Sequence, residues 1–294
     1  MNVGFIGLGL MGEPMSANLL KGGHSVCGFD IAQAARDKLI ANGGSTAASP
    51  AEAAKDADIV FTMLPNSPHV ESAVMGPDGI AGAMRPGSLF VDCSTILPDT
   101  TLRVGAYLKE RGIHMLDCAV GRTSAYAITG KLVFMVGGDA ADLETARPCL
   151  ECMGESIHHC GPLGAGIGLK LINNYMSTTL MVLNAEGLLM AERLGIDRQT
   201  AIEVLNGTPA GRGHFNTSFP EKAFKGDLSP SFMLDMANKD LGLSFEMASS
   251  LKTPLFTGAG ARQAYSIARA QGRGQQDWTA ILPALQQMSA LEDK

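Results

Sequence analysis

The first half of the chain alternates short apolar runs with amphipathic stretches of helical spacing. The apolar runs predict buried β-strands at 3–6, 25–29, 58–64, 88–92, 113–118, 132–136 and 155–159. Helical spacing occurs between several of them, for example at 51–57 and 99–111. Strands that alternate with helices predict a doubly wound, mostly parallel sheet with helices on both faces.

The strand pattern ends near Gly161, and the rest of the chain has the pattern of helices. A long helix is predicted from the glycine-rich segment 161–168 to Gly195, with others at 197–206, 235–251, 254–270 and 278–288. A chain of 294 residues is long enough for two domains. We therefore predict an α/β domain at 1–161 and an all-α domain at 162–294, which begins with a long interdomain helix.

A glycine motif follows the first predicted strand directly. The sequence GLGLMG at 7–12 has the spacing G-x-G-x-x-G and opens a predicted helix. In a Rossmann domain such glycines allow a tight turn and a close approach of the backbone to a pyrophosphate. Asp30 ends the second strand, where a carboxylate accepts hydrogen bonds from ribose hydroxyls and repels a 2′-phosphate. We predict that NAD (NADH) is preferred over NADP and is bound through Gly7, Gly9, Leu10, Met11, Gly12 and Asp30.

Three further segments stand where later strands end: Leu64-Pro65, Ser94-Thr95 and 121–124. In doubly wound sheets, ligands bind beyond the carboxyl ends of the strands. The three segments are therefore expected to face one cleft, and Leu64 and Pro65 are expected to contact the cofactor.

The start of the long helix carries the strongest candidate for catalysis. Lys170 and Asn174 are four residues apart, so they share a helix face, with Asn173 beside them. A lone lysine is usually a solvated surface charge. Lys170, however, lies among apolar residues and glycines, which favours a partly buried ammonium with a lowered pKa that can act as a general acid.

Composition excludes several classes of partner. Lys and Arg number 23 and Asp and Glu 29, which gives a net charge of −6 and argues against a nucleic-acid ligand. No apolar run is long enough for a membrane span without interruption, and the N-terminus lacks the basic region of a signal peptide. Six cysteines in a chain of this size are expected to be free thiols in the cytoplasm.

One cysteine pair has the spacing of a metal site. Cys149 and Cys152 form a C-x-x-C, and His158, His159 and Cys160 follow. The segment around the pair has helical character, however, and no second pair completes a zinc ribbon. We therefore expect no metal, with cysteines in the core and histidines on a strand.

Four motifs, in order along the whole chain, resemble the β-hydroxyacid dehydrogenase family, which includes 3-hydroxyisobutyrate dehydrogenase. They are GFIGLGLMGEPM, FVDCSTILP, GPLGAGIGLKLINN and NKDLGLS. The resemblance implies NAD(P)-dependent interconversion of a β-hydroxyacid and its aldehyde. It implies Lys170 as the catalytic acid/base with Asn174 as its helper, and places Ser94 and Thr95 where substrate meets nicotinamide. Lys239 becomes a cleft residue that contacts substrate or cofactor, and Asn173 and Ser177 are further candidates for substrate binding.

The chain departs from the family at the loop 121–124. Members usually have Ser-Gly-Gly there, which holds a carboxylate with backbone N–H groups, whereas this chain has Gly121-Arg122-Thr123-Ser124. The guanidinium fork of Arg122 can bind two oxygens of a sulfonate, with Thr123 or Ser124 for the third. A small anionic aldehyde is thus expected as substrate, with a sulfonate favoured. Arg212 and His214 are weaker candidates because nothing local fixes their direction.

Two alternatives remain open. One is a reductase of a carboxylate semialdehyde, such as succinic or tartronic semialdehyde. The other is a non-catalytic nucleotide-binding redox sensor, against which Lys170 and Asn174 argue. The family resemblance and the apolar helical domain also predict a homodimer or homotetramer.

Overall fold

The computed structural model describes residues 1–207, 213–250 and 255–289. The chain divides into two compact units, Met1–Lys170 and Leu171–Lys294. The sequence placed the domain boundary after residue 161, whereas the division falls at Lys170, inside the long helix.

Unit 1 contains an eight-stranded sheet in the order β3-β2-β1-β4-β5-β6-β7-β8. All neighbouring strands are parallel except β6 and β7, so the predicted mostly parallel, doubly wound sheet is confirmed. The strands are β1 Asn2–Ile6, β2 Ser25–Phe29, β3 Ser45–Thr46, β4 Ile59–Thr62, β5 Leu89–Asp92, β6 His114–Gly121, β7 Leu132–Gly137 and β8 Gly154–Gly161.

Helices cover both faces of this sheet. They are α1 Gly12–Lys21, α2 Gln33–Ala41, α3 Pro50–Ala54, α4 Ser67–Met75, α5 Pro98–Lys109, α6 Ser124–Ile128 and α7 Ala140–Met153. Phe61 packs into the core on one face and its neighbour Val60 into the core on the other. This double burial explains why the strands are continuous apolar runs rather than alternating ones.

Side-chain caps define several helix starts. Ser49 accepts a hydrogen bond from the Glu52 N–H at α3, and Asn66 accepts one from the His69 N–H at α4. Proline stands in the first turn of both helices, where its missing N–H costs nothing. These caps fix the residues at which α3 and α4 begin.

Unit 2 is helical in its described residues, apart from turns and an isolated bridge between Met233 and Asp277. The helices are α8 Ala165–Arg193, which begins in unit 1, α9 Arg198–Asn206, α10 Ser218–Glu221, α11 Leu234–Ser250, α12 Phe256–Ala270 and α13 Ile281–Met288. Its core includes Leu188, Phe219, Leu241 and Tyr265. No helix in the described ranges is long and apolar enough to cross a membrane.

Candidate active site

A cleft of about 480 Å³ opens in unit 1 where β1, β2 and β4 end. The strand order reverses between β1 and β4, which is the switch point at which doubly wound sheets bind nucleotides. The lining includes the predicted residues Gly7, Gly9, Asp30, Leu64 and Pro65, and also Ile31, His69, Ser72 and Asp78, which the sequence did not single out. Ile31 lies between β2 and α2, and the other three lie on α4 or in the loop after it; no motif marks these positions.

The glycine turn fits a bound pyrophosphate. A Cβ on Gly7, whose φ is +94°, would lie 2.4 Å from the Met63 carbonyl oxygen, and one on Gly12 would lie 1.8 Å from that of Gly7. A Cβ on Gly9 would meet nothing within 4 Å, so the backbone there borders open space. No side chain caps α1 at Met11, which leaves the helix start available to an anion.

Asp30 is held in place by two backbone bonds. Its carboxylate accepts hydrogen bonds from the Leu8 N–H at 2.7 Å and the Ala32 N–H at 2.8 Å. Each oxygen retains a lone pair that can accept from a ribose hydroxyl. Arg36 donates to the carbonyl oxygen of Asp30, so a guanidinium lies beside this corner of the cleft.

A buried carboxylate supports the loop that contains Ser94. Asp92 accepts hydrogen bonds from the Thr62 hydroxyl at 2.8 Å and the Ser94 N–H at 2.9 Å. The Ser94 hydroxyl in turn accepts from the Leu64 N–H at 2.9 Å, which joins the ends of β4 and β5. Burial raises the pKa of Asp92 to about 6, against the opposing effect of these hydrogen bonds. Ser94 is therefore buried as a support of the loop, while Thr95 is partly exposed.

The candidate acid and its helper lie on α8, one turn apart. Lys170 is partly buried, and Asn174 is 6% exposed. In unit 2, Asn174 donates to Asp240 and accepts from the Asn173 amide at 3.1 Å. Asp240, on α11, also forms an ion pair with Lys239 at 2.8 Å. One buried carboxylate thus fixes both Asn174 and Lys239.

From sequence alone, Asp240 is expected only as a partner of the neighbouring Lys239 on the helix surface. Its side chain is in fact only 4% exposed. The signal that marks it is the adjacent pair of opposite charges in the motif NKDLGLS, on a helix that is otherwise largely apolar on that side. A buried carboxylate of this kind is retained only when its charge is paired.

We expect Asp240→Asn to lower kcat/KM by about tenfold, because the amide keeps the shape but loses the charge that pairs with Lys239. The control is Asp235→Asn on the same helix. It removes the charge of a carboxylate that pairs with Arg269 and is more exposed than Asp240. Steady-state kinetics of both variants check the prediction, and equal small effects would contradict it.

His214 supports another candidate residue of α8. Its Nε2–H donates to the Ser177 carbonyl at 2.7 Å, and its ring packs edge-on against Trp278. Burial lowers the pKa of His214, so the ring is neutral at pH 7. His214 therefore holds the backbone of Ser177 as a neutral hydrogen-bond donor, not as a free cation. The other candidate, Arg212, lies outside the described residues.

Arg122 is engaged within unit 1. Its guanidinium donates to the Lys131 carbonyl at 2.8 Å, pairs with Glu155 at 2.5 Å and lies over the ring of Tyr126. Its φ is +76°, and it is the one non-glycine residue with positive φ in the described chain. The residue thus occupies a left-handed backbone conformation that favours glycine, which the family resemblance implies at this position. Thr123 and Ser124 follow it at the partly buried start of α6.

The C-x-x-C pair lies on α7 rather than in a ribbon. Cys149 is buried in the core and Cys152 is partly buried, while His158 and His159 lie exposed on β8. Within the described residues, no group of three or more His, Cys, Asp or Glu side chains could hold a metal ion. All six cysteines are free thiols.

Comparisons with known proteins extend over nearly the whole chain. Residues 2–161 match the NAD binding domain of 6-phosphogluconate dehydrogenase, and residues 164–285 match the domain described as NAD-binding of NADP-dependent 3-hydroxyisobutyrate dehydrogenase. The chain is 47% identical over 280 residues to 3-sulfolactaldehyde reductase of Escherichia coli, covering 95% of this chain and 94% of that one. It is 39% identical over 287 residues to NAD-dependent L-serine dehydrogenase of Pseudomonas aeruginosa, covering 95% and 96%.

A solved structure agrees with these relatives. The Mycobacterium tuberculosis 3-hydroxyisobutyrate dehydrogenase with L-serine superposes with a TM-score of 0.90 at 34% identity, covering 97% of this chain and 98% of that one. The relatives are dehydrogenases or reductases of hydroxy acids and their oxo forms, which confirms the predicted enzyme class. The chain therefore belongs to the 3-hydroxyisobutyrate dehydrogenase-like β-hydroxyacid dehydrogenases, and is a nicotinamide-dependent oxidoreductase that acts on a CH–OH group.

Proposed function

We propose that this protein reduces 3-sulfolactaldehyde to 2,3-dihydroxypropane-1-sulfonate with NADH, a step of sulfoquinovose degradation. The observation that carries the proposal is Arg122, a guanidinium held at a left-handed backbone position, where the family resemblance implies glycine. A left-handed conformation costs an L-residue about 1–2 kcal/mol, so its presence calls for a compensating role. The 47% identity to a 3-sulfolactaldehyde reductase supports the same substrate.

The proposed chemistry uses few protein groups. The nicotinamide, when bound, supplies the hydride. Lys170 Nζ donates a hydrogen bond to the aldehyde oxygen and gives it a proton as negative charge develops there. Asn174, which is hydrogen-bonded to Asp240, holds the aldehyde oxygen and the ammonium in the geometry that the proton transfer needs. In the direction of oxidation, Lys170 takes the same proton back.

The proposed anion site requires Arg122 to change partners. Its side chain is 33% exposed and that of Glu155 42%, so their ion pair is weak and solvent-screened. A sulfonate can therefore displace Glu155 at low cost and gain two charge-assisted hydrogen bonds from the fork. Thr123, Ser124 or a backbone N–H of this loop can serve the third oxygen.

The test is steady-state kinetics of the purified protein with NADH on 3-sulfolactaldehyde, succinic semialdehyde and tartronic semialdehyde. We expect kcat/KM to be highest on the sulfonate. A clear preference for either carboxylate would overturn the proposed substrate while leaving the enzyme class intact.

Reduction of a carboxylate semialdehyde is the second candidate, and the Arg122–Glu155 pair favours it. If that pair persists when substrate binds, the backbone of the loop is left to bind a flat carboxylate, as the family resemblance implies. Glu155→Gln separates the two cases: release of Arg122 should lower KM for a sulfonate and leave KM for a carboxylate unchanged.

We expect Asp30 to make NADH the preferred cofactor. Its carboxylate would repel a 2′-phosphate, whereas Asp30→Ser removes the charge and leaves Arg36 beside the vacated corner. In this variant, the kcat/KM with NADH divided by the kcat/KM with NADPH should fall by about tenfold or more. Asp37→Asn, which removes an exposed carboxylate of α2, is the control. Equal use of both cofactors by the parent would mean that Asp30 does not set the preference.

We also propose a cytoplasmic homodimer or homotetramer. Five apolar residues of α8 with helical spacing are 40–56% exposed, which is unusual for a single chain: Leu169, Ile172, Met176, Leu180 and Leu183. Light scattering of the purified protein measures its mass directly.

A further inference from the structure

The start of α8 is fixed by a buried carboxylate that the reaction does not use. Asp117, on β6, is 1% exposed. One of its oxygens accepts the Gly164 N–H and the other the Ile167 N–H, both at 2.6 Å. These are the N–H groups of the residue just before α8 and of its third residue, for which the helix itself offers no acceptor. Burial raises the pKa of Asp117, and the two N–H bonds oppose that rise.

The same turn lies against the sheet at van der Waals distance. A Cβ on Gly166 would be 2.4 Å from the Met135 carbonyl oxygen and 2.8 Å from the Gly137 N. Both are backbone atoms of β7, which cannot move without breaking the sheet. A Cβ on Gly168 would meet nothing within 4 Å. The first turn is therefore close enough to the sheet to leave no room for a side chain at Gly166, and the hydrogen bonds of Asp117 hold it there.

This turn is the one that determines where Lys170 lies. Gly166 is four residues before Lys170, so the two share a helix face, and Asn174 follows one turn later. Gly168 points away from that face. A displacement of the first turn would be transmitted to the ammonium through a single turn of rigid helix.

We propose that Asp117 and Gly166 are positioning residues that set the distance between the Lys170 ammonium and the sheet edge where the dinucleotide binds. The inference rests on the proposed role of Lys170 as general acid. Proton transfer to a developing oxyanion depends on sub-ångström placement, and an error of 1 Å can cost about 10²-fold in rate. A carboxylate in two charge-assisted hydrogen bonds holds the helix more firmly than a hydroxyl cap could.

The first test compares two alanine substitutions on the same helix. Gly166→Ala should lower kcat by at least about tenfold, counted per NADH-binding site, with the Kd for NADH unchanged within about twofold. Gly168→Ala adds the same methyl group two residues away in open space and should keep the parent kcat. Fluorescence titration of NADH counts competent sites, so a simple loss of folded protein is not read as a loss of turnover.

The second test removes the charge. Asp117→Asn leaves one acceptor oxygen and turns an NH₂ group toward the other N–H, so kcat should fall while the Kd for NADH stays constant. The control is Asp139→Asn, which weakens the cap of α7, a helix that carries no candidate site residue. Hydrogen–deuterium exchange should be faster at 162–170 in Asp117→Asn and unchanged there in Asp139→Asn.

The outcomes are separable. If both variants bind NADH and turn over like their controls, Asp117 and Gly166 only stabilise the fold and the proposal is overturned. If Asp117→Asn does not fold, the Gly166→Ala pair decides alone. Each variant's kcat is compared with that of the parent, so any substrate that the parent converts can be used. If the parent does not convert 3-sulfolactaldehyde, the proposed substrate is wrong, but this test can still be made.

Discussion

Replacing Lys170 by alanine is expected to lower turnover by roughly 10²–10⁴-fold while NADH binding stays nearly intact. The loss is large because the aldehyde oxygen would have to take its proton from water, without a donor placed beside it. Binding should persist because, among the described residues, none of α8 lines the cleft that contains Gly7, Gly9 and Asp30.

Two further variants separate proton transfer from charge. Lys170→Arg keeps the positive charge but cannot release a proton near pH 7, so it should remain almost as slow as the alanine variant. Lys109→Ala, which removes an exposed lysine in the last turn of α5, should keep the parent rate. Near-normal turnover by Lys170→Ala would assign the acid to another group.

The local pattern of apolar residues and glycines was sufficient to predict most of the sheet and the glycine turn at 7–12. The central strands β1, β4 and β5 are buried on both faces, and the glycines of the first turn have no substitute, so both left clear marks in the sequence. Helix α2 left none: only Leu39 on it is buried, so it has no apolar stripe to detect. The strand at 132–136 was predicted but its antiparallel direction was not, because direction is decided by the connection rather than by the strand.

The partners of charged residues could not be predicted, because they depend on strand order and register. Glu155 reaches Arg122 only because β7 reverses and brings the start of β8 to the end of β6. Asp117 reaches the start of α8 across about fifty residues of sequence. Lys170, by contrast, could be proposed from the sequence because its environment of glycine and apolar residues is local.

Arg122→Gly is expected to lose about ten- to more than a hundredfold in kcat/KM on 3-sulfolactaldehyde and much less on a carboxylate semialdehyde. The estimate follows from the loss of a charge-assisted hydrogen bond, about 1.5–3 kcal/mol. Glycine suits a φ of +76°, and the ion pair with Glu155 is partly exposed, so the substitution should not damage the fold. A fall in activity can then be assigned to the substrate rather than to folding, which a melting curve verifies.

Arg122→Lys completes the test. A lysine keeps the charge but presents a point ammonium in place of a planar fork, so it should restore only part of the activity on the sulfonate. Efficiency is measured on both substrates for the parent, Arg122→Gly and Arg122→Lys. An equal fractional loss on sulfonate and carboxylate would make Arg122 a general anion-binding residue. Its position on a left-handed backbone would then have to be explained by the contacts with Glu155, Lys131 and Tyr126 alone.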